Sequence, residues 1–166
     1  MRHFIFVLAA VFMAAFTTTA TATVVNPGGD TGVFSWDDGV GDSVTFAGHD
    51  TLQLTVSGTS AVTFSVLDCC VIGDSFDLVV DGASVAWDSV TNPGGVGGLF
   101  AATADLVLAG GVHTFDLILA TAAAGFDSGG AYWTTSAVSA VPVPAAGLLL
   151  LGGLGGLVAM RRRKTS

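Results

Sequence analysis

From residue 23 to residue 140 the chain has no lysine, no arginine and no glutamate. All thirteen acidic residues lie in that stretch, and all are aspartate. Glutamate favours helices, whereas the short aspartate side chain bonds to nearby backbone N–H groups and favours turns. A stretch whose only acid is aspartate, and which is rich in Gly, Thr and Val, is therefore a many-turned β structure.

The apolar pattern agrees. Leu52, Leu54 and Val56 recur at every second position, as do Val62, Phe64 and Val66. Phe76, Leu78 and Val80 follow, then Val85 and Trp87, Leu106 and Leu108, and Phe115, Leu117 and Leu119. Period two with β-branched and aromatic residues marks half-buried strands. Turn signals separate them: Asp38-Gly39, Ser57-Gly58, Asp81-Gly82, Gly110-Gly111 and Ser128-Gly129-Gly130. Asp81-Gly82 between two apolar runs predicts a hairpin. The longest loop is expected at 92–98, with Pro93 and four glycines. The expectation is an all-β domain over 23–140, a jelly-roll-like β-sandwich of about eight strands. Trp36, Trp87, Tyr132 and Trp133, with Phe34, Phe46, Phe64, Phe76 and Phe115, supply its aromatic bulk. Strand neighbours face opposite ways, so one of Tyr132 and Trp133 should point outward or lie under a loop.

The charge map limits partners. A domain without Lys or Arg repels a phosphate backbone, which excludes nucleic acid. Anionic lipid is a poor partner for the same reason. Cations, neutral glycans and other proteins remain.

The basic side chains sit at the two ends, each beside an apolar stretch. Arg2 and His3 precede Phe4–Phe16, and Thr17-Thr18-Thr19-Ala20-Thr21-Ala22 follows. A basic start, an apolar core and a small-residue exit make a secretory signal peptide over 1–22. Ala20 and Ala22 place the cut after Ala22. An uncleaved N-terminal anchor is the competing reading.

The other end, 141–166, has three parts: Val141-Pro142-Val143-Pro144-Ala145, then the Gly/Leu run Gly147–Met160, then Arg161, Arg162, Arg163 and Lys164. As a single transmembrane helix, Ala145–Met160 reaches about 24 Å at ~1.5 Å per residue. The hydrocarbon core is about 30 Å, so the span needs its flanks or a thinned bilayer. The basic cluster acts as a stop and stays cytoplasmic.

In this order the three parts resemble the PEP-CTERM sorting signals of Gram-negative bacteria. Val141–Ala145 is similar to the VPLPA-CTERM variant, with Val143 where that pattern has Leu. The resemblance implies that an exosortase, a membrane-embedded processing enzyme, recognises the tail and cuts near the proline motif. It also implies transient anchoring in the inner membrane, then delivery to the cell surface or extracellular matrix. A permanent single-pass anchor competes with this. The segment Ser65–Gly82, with its Gly73-Asp74-Ser75-Phe76 core, and the later Gly111-Val112-His113-Thr114-Phe115 are also similar to secreted proteins that carry such tails. That likeness implies a shared β-sandwich.

Little else in the domain carries chemistry. Cys69 and Cys70 are the only cysteines. After export they either bridge each other, an unusual vicinal disulfide, or remain free or pair between chains. No metal motif is present. Two aspartate clusters, Asp37/Asp38/Asp42 and Asp68/Asp74/Asp77, could offer oxygen to Ca²⁺, although turn formation explains them as well. His49 beside Asp50, and His113, have no Gly-x-Ser-x-Gly elbow or His/Glu motif near them. No catalytic residue is assigned, and the chain is read as a non-enzyme. The expected function is a structural or adhesive protein of the cell surface or exopolysaccharide matrix, with the exosortase and polysaccharide as partners. The alternative is a secreted carbohydrate-binding module, calcium-stabilised, with Trp133 or Tyr132 stacking on sugar.

Overall fold

The computed structural model describes residues 22–37 and 39–142. Twelve strands form two sheets: β1 (Ala22–Val24), β2 (Asp30–Trp36), β3 (Thr45–Phe46), β4 (Thr51–Val56), β5 (Ser60–Asp68), β6 (Ser75–Val80), β7 (Ala83–Val85), β8 (Ser89–Thr91), β9 (Ala101–Leu108), β10 (Gly111–Thr121), β11 (Gly129–Thr135) and β12 (Ser139–Ala140). The only helical element among the described residues is a 3-10 turn at Pro93–Gly95, inside the predicted long loop. None of their helices is long and apolar enough to cross a membrane. The sequence pattern marked about eight strands. Five of the twelve have only two or three residues, too short for an alternating pattern to register.

One sheet runs β1-β4-β10-β6-β7. The other runs β3-β2-β11-β5-β9-β8, with β12 also on β5. The chain passes from sheet to sheet because each strand has one apolar face and one polar face. Burying the apolar faces together makes the sandwich. Each sheet ends on both sides in a strand of two or three residues: β1 and β7 in one, β3 and β8 in the other.

The residues picked out by alternation form the core. Leu52, Leu54, Phe64, Leu78, Phe115 and Leu117 are fully buried. Aromatic rings join the two sheets. Phe34 on β2 meets Phe76 on β6 edge-on at 4.9 Å, and Phe64 on β5 stacks on Phe115 of β10 at 5.4 Å. Trp87 follows β7 in a loop, stacks near Phe64 and donates its Nε1–H to the Phe76 carbonyl at 2.8 Å. Trp133 lies over Gly32, its cross-strand neighbour, where an added Cβ would stand 2.7 Å from the indole nitrogen. Gly129 leaves room for Trp36 in the same way, four residues further along β2.

The Asp81-Gly82 hairpin joins β6 and β7, with φ of 52° and 78° at its two residues. Positive φ at both positions is the turn that matches strand twist. The registers bring the segments 37–44, 69–74, 92–100 and 122–128 to one end of the sandwich: Trp36 lies opposite Gly129, Asp68 opposite Ala131, Leu67 opposite Ala101 and Ser75 opposite Thr121.

Candidate functional site

Most of the unusual chemistry collects at that loop end. β5 belongs to one sheet and β6 to the other, so 69–74 must arch across the top of the core. Asp68 is the last residue of β5, and Asp74 immediately precedes β6. The arch turns through Cys70 at φ 76° and Gly73 at φ 134°. Cys69 and Cys70 are joined as a vicinal disulfide, with their Cα atoms 3.7 Å apart. The bridge closes no loop, so its effect is local to the turn. Gly95, in the 3-10 turn, packs against the arch so closely that a Cβ there would lie 2.5 Å from the Gly73 carbonyl carbon.

Both arch aspartates are buried, Asp68 to 1% exposure and Asp74 to 4%. The Cys69 N–H donates to Asp68 Oδ1 at 2.7 Å, and the Ala123 N–H donates to Asp74 Oδ1 at 2.7 Å. Asp68 Oδ2 is buried with no hydrogen-bond partner. Burial pushes the Asp68 carboxyl up to about 6; the Cys69 N–H opposes the rise and the charge of Asp74 adds to it. Burial likewise raises Asp74, against the Ala123 N–H. In most proteins a Lys or Arg would pair with such groups, but the described residues contain neither.

Beside the arch lies an open cleft of about 420 Å³, lined by Asp37, Gly39, Val40, Ala122, Phe126 and Asp127. Ala122 lines the cleft and its neighbour Ala123 holds Asp74, so one short loop connects the cleft to the buried pair. Asp42 closes a turn, its Oδ2 accepting the Gly39 N–H at 3.2 Å, while Asp38 lies outside the described residues.

Thus the fold separates what sequence proximity had grouped. Asp68 and Asp74 are both buried at the ends of the arch, but Asp77 points out of β6 between the inward Phe76 and Leu78 and is exposed. Asp127 and the exposed Phe126 join Asp37 from a loop 90 residues away in sequence. Their signal was a lone aromatic beside an acid in an Ala/Gly loop. Among the described residues no three His, Cys, Asp or Glu side chains converge as a metal-binding group.

The histidines are elsewhere. His113 Nδ1 meets Asp81 Oδ2 at 2.7 Å and Nε2 meets the Ala109 carbonyl at 2.8 Å. The protonated ring satisfies both bonds at once, and the bond to Asp81, then that to Ala109, raises the histidine above its ordinary value. Asp81 also accepts the Thr114 N–H, so the pair ties the β6–β7 hairpin to β10. His49 sits in the turn before β4, its backbone paired with Phe46.

Tyr132 and Trp133 divide as strand geometry requires: Trp133 is core at 4% exposure, and Tyr132 faces out at 47%. Trp133 is therefore withdrawn as a sugar-stacking residue, because its place on β11 turns it into the sandwich over Gly32. At the ends of the domain, Ala22 opens β1 and pairs with Thr51. The Val141 N–H donates to the Thr59 carbonyl at 3.0 Å, and Pro142 is exposed. Ala20, Val143, Pro144, Ala145, the apolar run and the Arg161, Arg162, Arg163 and Lys164 cluster lie outside the described residues.

The chain matches no family model, and no curated protein is similar to it.

Proposed function

We propose that this chain is an exported structural or adhesive protein of the bacterial cell surface or exopolysaccharide matrix, processed by an exosortase. The observation that carries the reading is the three-part tail, a proline motif, an apolar run and an Arg/Lys cluster, behind a lysine-free, arginine-free domain. In this reading the inner membrane holds the precursor, the signal peptide is removed after Ala22, and the tail is cut near Val141–Ala145. Two structural features support it. The last described ladder bond comes from the Val141 N–H, and Pro142 next to it has no N–H to extend the ladder, so the motif begins where pairing stops. Thr23 Oγ1 donates to the Phe46 carbonyl at 2.9 Å and the Val25 N–H to the Gln53 carbonyl at 2.8 Å, so a chain starting at Thr23 keeps its edge anchored. The jelly-roll reading belongs with this proposal. It is supported by the order β2-β11-β5-β9 against β4-β10-β6-β7, two interlocked Greek keys of eight strands with four short additions.

Intact-mass and terminal-peptide spectrometry of the native product tests it. The expected result is an N-terminus at Thr23 and a C-terminus within Val141–Ala145, with a gain of two hydrogens on reducing the cysteines. A native product that keeps both ends would sink the reading.

One observation favours the carbohydrate-binding alternative. On the outer face Val33, Tyr132 and Leu67 lie in register across three strands, all half-exposed. Beside them runs a hydroxyl row across five strands: Thr31, Thr134, Ser65, Thr103 and Ser89. An apolar row beside an uncharged hydroxyl row matches a neutral sugar chain, which has both C–H faces and O–H edges. If so, Tyr132→Ala should weaken retention on neutral polysaccharide in affinity electrophoresis about tenfold, ~1.4 kcal/mol. Equal mobility of variant and wild type on every glycan would remove this reading.

A further inference from the structure

We infer that Asp68 and Asp74, brought together by the arch between β5 and β6, form a binding site for one hard divalent cation, calcium by its chemistry. The site is independent of how the chain is sorted.

Two carboxylates lie almost wholly inside the protein at the two ends of one short arch, and the charge of Asp74 reaches Asp68. A buried anion needs a partner, and none is on offer. The described residues have no Lys or Arg; His113 is engaged by Asp81 and Ala109, and His49 sits in the turn before β4. The hydrogen bonds show how the pair is presented. Each carboxylate is held through Oδ1 by one backbone N–H, and Asp68 Oδ2 is left buried and without a partner. Fixing one oxygen and freeing the other is how a carboxylate is oriented towards a third body.

The surroundings select the ion. The two side chains that define the site offer only carboxylate oxygen. The two sulfurs are tied up in the disulfide. Oxygen-only sites suit hard cations. Magnesium needs near-ideal octahedral geometry and gives up water reluctantly, whereas calcium accepts six to eight irregular oxygens. An arch of irregular backbone with two carboxylates suits calcium. The cleft beside it, with Asp37 and Asp127, gives the approach a negative field that draws cations in.

The test uses the full-length chain in detergent, stripped with a chelator near neutral pH and followed by tryptophan fluorescence on heating. Calcium chloride should raise Tm saturably, by about 5–10 °C at a hundredfold excess over Kd, with magnesium chloride far less effective. Equilibrium dialysis with radioactive calcium should find one tight equivalent. Asp68→Asn and Asp74→Asn should each lose the calcium response, and Asp77→Asn, on the outer face, should keep it. Asp68→Asn can still accept the Cys69 N–H and removes a buried charge, so it should fold and melt higher than wild type in chelator. No saturable shift and no bound calcium in the wild type would overturn the site. So would an unchanged response in both arch variants, or loss of response in Asp77→Asn. An equal response to magnesium would overturn the assignment to calcium.

Discussion

Phe64→Ala should destabilise the chain by about 3–5 kcal/mol, roughly a third to a half of the stability of an ordinary domain. Phe64 has no exposed surface and sits on β5, between β11 and β9. Its ring stacks on Phe115 of the facing sheet at 5.4 Å, and Trp87 lies 6.4 Å away. Truncation removes the ring's transfer energy and leaves a cavity walled by both sheets, which cannot close without dragging a central strand. Two aromatic pairs go with it, each worth about 0.5–1.5 kcal/mol. Urea denaturation should show a lower midpoint with an unchanged slope. Tyr132→Ala, on the outer face, is the control and should stay within about 0.5 kcal/mol of wild type. A Phe64→Ala cost below about 1 kcal/mol would mean the sheets do not meet through these rings.

The second large effect is a loss of stability as pH rises. In the folded chain Asp68 titrates at about 6, against an ordinary value of 3.8. Between those values the folded state keeps a proton that the unfolded state has released, so each step up in pH favours unfolding. Below 3.8 both states are protonated; above about 6 both are ionised and the whole cost is present. At about 1.4 kcal/mol per pH unit, it approaches ~3 kcal/mol. Asp74 and Asp116, also raised by burial, act in the same direction. Asp81 acts the opposite way. Burial raises it, but the bonds from His113 and Thr114 outweigh that and leave it lowered. The stability it adds is lost only as pH falls through its folded value, below this window. His113, raised by Asp81, loses its contribution only as pH rises through its folded value, above 6.5. In chelator, then, unfolding free energy should fall from mildly acidic to neutral pH, and Asp68→Asn should flatten much of that slope. An identical slope in wild type and variant would show that Asp68 is not the buried acid described.

The strand interiors were legible because period two is a local property. Leu52, Leu54, Val56, Phe64 and Val66 declare an inward face without reference to partners, and Asp81-Gly82 declares its turn. The short strands were not legible. β3 has two residues, and only its pairing with β2 makes Thr45–Phe46 a strand. Trp133 was readable only as one of two options, since alternation says that neighbours diverge but not which goes in; the glycine opposite decides it. The candidate site was half legible. Asp68 and Asp74 stood out as acids in a turn-rich segment. That they are buried, and that Asp77 is not with them, depends on the crossing from one sheet to the other. The cleft was invisible, because Asp37 and Asp127 meet only when β2 and β11 pair.

The brevity of the four flanking strands has a consequence for life at high local concentration. A long open strand offers a row of free amides and carbonyls, a template on which a second molecule can add and start fibril growth. Here each marginal strand offers only two or three residues of regular backbone, and it covers only part of the longer strand behind it: β8 pairs with β9 at Ala101–Thr103 alone. Copies crowded side by side meet a broken margin and not one long straight strand, which works against seeding fibrils.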